Sequence, residues 1–115
     1  MKKAYELQEA DQMRPLIQAI ARELDDRFLA VKRLERRLRR IEREGGDEAQ
    51  STITVAALAE HRRNLRLTVN ELETLGGEVE PGLPVIVRLP GPDGTFDSGY
   101  RVSAQDSAMA TEHAA

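Results

Sequence analysis

Apolar residues in the first third of the chain fall at Met13, Ile17, Ile20, Leu24, Val31, Leu34, Leu38 and Ile41, in steps of 4, 3, 4, 7, 3, 4 and 3. Alternating steps of three and four bring side chains to one stripe of an α-helix and are the seam pattern of a coiled coil. The one skipped position holds Arg27, and Leu16, Ala21 and Phe28 widen the stripe to its flanks. Glycine is absent from Met1 to Glu44 and strong helix formers dominate, so the pattern predicts one helix from Gln8 to Glu44, roughly 55 Å long. Pro15 lacks a backbone donor and crowds the preceding turn. It predicts a kink or break near Arg14, with the residues before it folding back as a short helical turn.

A second seam runs through Val55, Leu58, Arg62, Leu65, Val69 and Leu72 in steps of 3, 4, 3, 4 and 3. Gly45-Gly46 and Gly76-Gly77 close the two helices, because glycine enters the left-handed conformation of a helix C-cap at low cost. Asp47 and Gln50 have capping-box spacing at the start of the second helix, which Ser51, Thr52, Ile53 and Thr54 allow to slip toward Thr54. A short loop between two seams predicts an antiparallel hairpin. Folding about Asp47 sets Ile41 near Val55, Leu38 near Leu58, Val31 near Leu65 and Leu24 near Leu72. A bare two-helix hairpin buries too little for its length. A third layer is expected, from the C-terminal segment, from a second copy, or from both.

The pattern changes after Gly77. Every proline but Pro15 lies between Pro81 and Pro92. Val85-Ile86-Val87-Arg88-Leu89 predicts a short strand, Pro90 to Gly94 a turn, and Thr95 to Val102 a returning strand with Phe96 and Tyr100 on one face. The resulting fold class is mainly α: a two-helix coiled-coil hairpin with a small C-terminal β-hairpin, one domain over residues 1–102, and a disordered tail over 103–115.

Composition narrows the chemistry. The 115 residues contain no cysteine and only 3% aromatic side chains, which excludes disulfides, thiolate metal sites and a base-stacking sheet. No apolar run is long enough to span a membrane and the N-terminus has no signal-peptide pattern, so a cytoplasmic protein is expected. Net charge is −3, yet it is unevenly spread. Lys32, Arg33, Arg36, Arg37, Arg39, Arg40 and Arg43 share residues 32–43 with only Glu35 and Glu42. Seven bases against two acids leave a local +5 on the outward heptad positions, and Arg62, Arg63 and Arg66 lie at a similar height on the second helix. This is a candidate anion-binding stripe. It is also what a solvated helix face looks like, and that reading is favoured, since arginine forms helix well and Glu35 with Arg39 is an ordinary i,i+4 pair. Arg27 and Arg62 at seam positions are expected to snorkel to the rim, with Glu23, Asp25 and Asp26 within reach of Arg27. His61 is expected on the surface and His113 in the tail, without ligand spacing for a metal.

Two segments carry a family resemblance. Tyr5-Glu6-Leu7-Gln8-Glu9-Ala10-Asp11-Gln12-Met13-Arg14-Pro15 resembles the opening F-T-x-x-E-A-N-x-L-L-P of the bacterial family catalogued as domain of unknown function 2203. Glu71-Leu72-Glu73-Thr74-Leu75-Gly76-Gly77-Glu78-Val79 resembles that family's E-I-E-x-L-G-x-E-V, and Gly82-Leu83 its following G-L. The resemblance covers residues 5–87 and implies a helical hairpin followed by a small β element, with no established activity and no functional residue to carry over. The chain departs from the family in having Glu6 at the capping threonine and in lacking the later C-W-x-x-G-E and W-H segments. The expected function is that of a non-enzymatic coiled-coil interaction or scaffolding protein, homodimeric, with an unidentified protein partner and without cofactor or metal. The alternative is weak binding of nucleic acid or another polyanion through the arginine stripe.

Overall fold

The protein is described here by a computed structural model covering residues 3–80 and 82–105. Helix α1 runs Leu7–Arg43 and helix α2 Glu48–Thr74, followed by strands β1 (Glu78–Glu80), β2 (Ile86–Leu89) and β3 (Tyr100–Ser103). The chain divides into two compact units. One comprises Met1–Asp25 with Thr68–Ala115, and the other Asp26–Leu67.

Helix boundaries follow local chemistry. At the start of α1, the Glu6 backbone N–H donates to Glu9 Oε1 at 3.0 Å and the Ala10 N–H to the Glu6 carbonyl at 2.9 Å. Glu9 thus supplies the reciprocal half of a capping box and places negative charge at the positive helix end. The break expected near Arg14 does not occur, and α1 is helical without interruption from Leu7 to Arg43, Pro15 included. The proline ring is exposed, and the helix gives up a single backbone bond while Ala10, Ile17, Ile20, Ala21 and Leu24 on either side are buried. Both helices end alike. Gly45 and Gly76 take positive φ of 62° and 85°. Gly46 N–H reaches the Ile41 carbonyl at 2.8 Å and Gly77 N–H the Leu72 carbonyl at 3.0 Å, the long bond of a Schellman motif. Helix α2 opens with Asp47 Oδ1 accepting the Ala49 N–H at 2.9 Å.

In the first unit the sheet supplies the third layer. The strand order is β1-β2-β3, all antiparallel, with Val79 opposite Val87, Val87 opposite Val102 and Leu89 opposite Tyr100. Val85, Val87, Leu89, Tyr100 and Val102 are buried, as are Ile17, Leu24 and Leu72 from the helices. The polar face pairs Arg88 directly with Arg101, a repulsive neighbourhood. Two acids of β1 offset it: Glu78 binds Arg88 at 3.1 Å and Glu80 binds Arg101 at 2.8 Å. Arg88 also lies 5.0 Å above the Phe96 ring. The Arg101 hydrogen bond holds the Glu80 carboxyl below its usual range.

The expected hairpin is formed by β2 and β3, and strand β1, which was not expected, adds a third strand to it. Three residues flanked by Gly77 and Pro81 carry too little pattern to mark a strand. The returning strand is shorter than Thr95 to Val102, because Asp93 ties up the preceding loop. Its Oδ1 accepts the Thr95 N–H at 2.9 Å, the Thr95 hydroxyl at 2.7 Å and the Ser98 hydroxyl. Phe96 consequently sits in the loop, not on the strand face with Tyr100. Of the segment expected as a tail, Ser103 closes β3 and the Ala104 carbonyl accepts from Arg22. Residues 106–115, with His113, lie outside the described residues.

The N-terminal segment is laced into this unit. Tyr5 N–H donates to the Gly91 carbonyl at 3.2 Å, its hydroxyl to the Leu75 carbonyl at 2.6 Å, and the Tyr100 hydroxyl to the Tyr5 carbonyl at 2.9 Å. Burial, with Glu9 close by, pushes both phenols above their ordinary pKa, and Glu6 adds to the effect at Tyr100. The side chain of Asp25 on α1 accepts the Val85 N–H at 2.6 Å, and Gln18 donates to the Ser103 carbonyl at 3.4 Å.

Candidate functional site

The expected α2 seam is corrected at Val55. On α1, Ile17, Ile20 and Leu24 are buried and Val31, Leu34, Leu38 and Ile41 half-buried, as the spacing requires. On α2, Leu58 and Leu72 are buried and Leu65 and Val69 half-buried, but Val55 is 50% exposed and Arg62 is exposed. The inward positions alternating with the leucines are Ser51, Thr54, His61 and Thr68, of which Thr54 and Thr68 are buried and Ser51 and His61 half-buried. The working repeat is therefore Ser51, Thr54, Leu58, His61, Leu65, Thr68 and Leu72, an unbroken 3,4 series.

Three of the inward polar side chains, Thr54, His61 and Thr68, find a bond. Thr54 donates to the Gln50 carbonyl of its own helix at 2.8 Å. Thr68 donates to Glu23 Oε2 at 2.6 Å. Arg27 Nη1 lies 3.2 Å from His61 Nδ1, so the arginine donates to an unprotonated ring nitrogen. His61 is thus a half-buried seam residue and not a surface one. Arg62 leaves the seam altogether and binds Glu35 Oε2 at 2.7 Å. Polar pairs of this kind help to fix register. The signal that marks these positions was present: one polar residue recurs at each i+3 or i+4 step between leucines.

That Arg62–Glu35 bond shapes the basic stripe. On a wheel of 100° per residue, the seven bases from Lys32 to Arg43 cover an arc of about 160° centred opposite the seam. Glu35, the acid best placed to partner Arg39, is drawn across to α2 instead. Among the described residues, the side chains of Lys32, Arg33, Arg36, Arg37, Arg39, Arg40 and Arg43 take part in no hydrogen bond or ion pair, and all seven residues are exposed. An open groove of about 540 Å³ is lined by Arg36, Arg39, Arg40, Glu42 and Arg43. A second, of about 360 Å³, is lined by Arg33, Leu34, Arg36, Arg37 and Arg40. Arg63 and Arg66 are exposed on α2, and Arg62 is committed to Glu35. The stripe thus falls into two parts, an unneutralised run on α1 and a smaller set on α2 beginning with a paired arginine.

Among the described residues no group of three or more His, Asp or Glu is arranged to hold a metal ion, and no helix is long and apolar enough to cross a membrane. No family model, curated protein or solved structure matches the chain.

Proposed function

We propose that the protein is a non-enzymatic interaction protein that self-associates through the helical arm formed by residues 26–67. The supporting observation is a difference in cover along one seam. In the first unit Ile17, Leu24 and Leu72 are fully buried beside a sheet. In the unit Asp26–Leu67, which consists of two helical segments, Val31, Leu34, Leu38 and Ile41 continue the repeat but stay half-exposed. Covering each of them stabilises by on the order of 1 kcal/mol before the costs of association. A second copy supplies that cover in matching form, because two hairpins packed on a twofold axis make a four-helix bundle.

The resemblance to the domain of unknown function 2203 family belongs to this proposal. The two segments that carry it touch: the Tyr5 hydroxyl donates to the Leu75 carbonyl.

Sedimentation velocity on the full chain tests self-association. A dimer is expected at micromolar concentration. Leu34→Glu with Leu38→Glu is expected to give a monomer that keeps its helical circular dichroism. A wild-type chain that sediments as a monomer at tens of micromolar overturns the proposal.

A further inference from the structure

The outward face of α1 carries an inference independent of self-association, since it points away from the seam. We infer that Lys32, Arg33, Arg36, Arg37, Arg39, Arg40 and Arg43 form a docking surface for the phosphate backbone of double-stranded DNA.

Charge density comes first. Seven cations over residues 32–43 occupy about 16 Å of helix, one per roughly 2.4 Å. Duplex DNA carries one negative charge per about 1.7 Å of axis. Cost comes second. Lys32–Arg36, Arg33–Arg37, Arg36–Arg40 and Arg39–Arg43 are four like-charged i,i+4 pairs on one helix, each destabilising by a few tenths of a kcal/mol. The structure leaves them unrelieved, because Glu35 is bound to Arg62. An external anion relieves that repulsion. Six of the seven are arginine, whose planar fork matches a phosphate with two parallel bonds.

The shape of the arc selects the duplex. Lys32 and Arg39 lie on one edge, Arg33 and Arg37 on the other, with Arg36, Arg40 and Arg43 between. An α-helix about 10–12 Å across, basic on both flanks, fits a major groove about 12 Å wide and reaches both of its phosphate walls. The narrow major groove of A-form RNA does not admit it. Single strands are bound by aromatic platforms, and residues 32–43 contain no aromatic side chain. A membrane surface requires apolar residues beside the bases. Here Val31, Leu34, Leu38 and Ile41 are turned to the seam, and Leu29 one turn earlier is a lone exposed leucine on that side. Asn and Gln, the side chains that read adenine, are absent from the run, and the proposal assigns the arginines to phosphate. Glu42, Glu44, Asp47 and Glu48 end the footprint by repulsion.

The test is fluorescence anisotropy of the full chain with a labelled 30-base-pair DNA of arbitrary sequence, titrated between about 50 and 200 mM salt. Binding is expected at the low end. With five phosphates contacted, log K should fall with log salt at a slope of about −4.5. Arg36→Gln, Arg37→Gln, Arg39→Gln and Arg40→Gln together should abolish detectable binding, while the helical signal and sedimentation stay as in wild type. Parallel arms use duplex RNA, single-stranded DNA, polyglutamate and phosphatidylserine vesicles. No DNA binding at low salt overturns the inference. So does undiminished binding by the quadruple variant, or binding of any other probe as tight as duplex DNA.

Discussion

Thr54 and Val55 separate two registers of α2 that differ by a small rotation, and substituting lysine at each measures which is real. Val55 is 50% exposed and Thr54 3% exposed. A lysine at 55 keeps its methylenes over the same surface and its ammonium in water, so the expected cost is under about 0.5 kcal/mol. A lysine at 54 must bury its charge or part the helices, and the expected cost is about 3 kcal/mol or more. Thr54→Val removes a hydroxyl bonded only to the Gln50 carbonyl of its own helix. It puts a methyl group in an apolar seam, and should stabilise by about 0.5–1 kcal/mol. Urea unfolding followed at 222 nm, with m-values compared across the three variants, reads all of these. A Val55→Lys variant as unstable as Thr54→Lys, or a Thr54→Val variant that loses more than about 1 kcal/mol, refutes the inward placement of Ser51, Thr54, His61 and Thr68.

Three further outcomes are expected. The Asp93 carboxyl is lowered to about 2, chiefly by the Ser98 hydroxyl and then by Thr95. Its support for the β2–β3 loop is therefore present above the unfolded value of 3.8 and lost as pH falls through about 2. An NMR titration of the Thr95 and Ser98 amides should show that low midpoint, and one near 4 counts against the loop geometry. Tyr5 and Tyr100 have raised folded pKa values, so their contribution is intact below the unfolded value of about 10 and lost as pH rises beyond it. Absorbance at 295 nm should show both phenols titrating above 10, and a normal or early midpoint contradicts their burial. Gly99→Ala is expected to disrupt the end of β2 and the start of β3, because the added carbon would overlap the Leu89 carbonyl oxygen. Loss of amide protection at Leu89 and Tyr100 checks this, and a variant with native protection there refutes it.

The chain by itself determined both helices, their glycine ends and the α1 seam. These rest on local rules: helix formers without interruption from residue 16 to 44, two glycine pairs, and leucines seven apart at 58, 65 and 72. The basic face was legible for the same reason, since charges at fixed helical angles need no partner to define their side. Pro15 misled because a breaker's local cost is fixed, while burial of the residues around it is a property of the whole. Only the tertiary structure decided which flank of the leucine ridge turned inward. Both flanks contain valine or threonine, but one also carries Arg62, which cannot be buried without a partner. The other carries His61 and Thr68, whose bonds to Arg27 and Glu23 exist only once α1 lies alongside. The same choice sent Arg62 to Glu35, and so left the arginines of α1 without the acid their own helix offered. Strand β1 likewise exists because β2 pairs with it. Its three residues have no pattern of their own, and hydrogen bonds to a neighbour cannot be read from one strand alone.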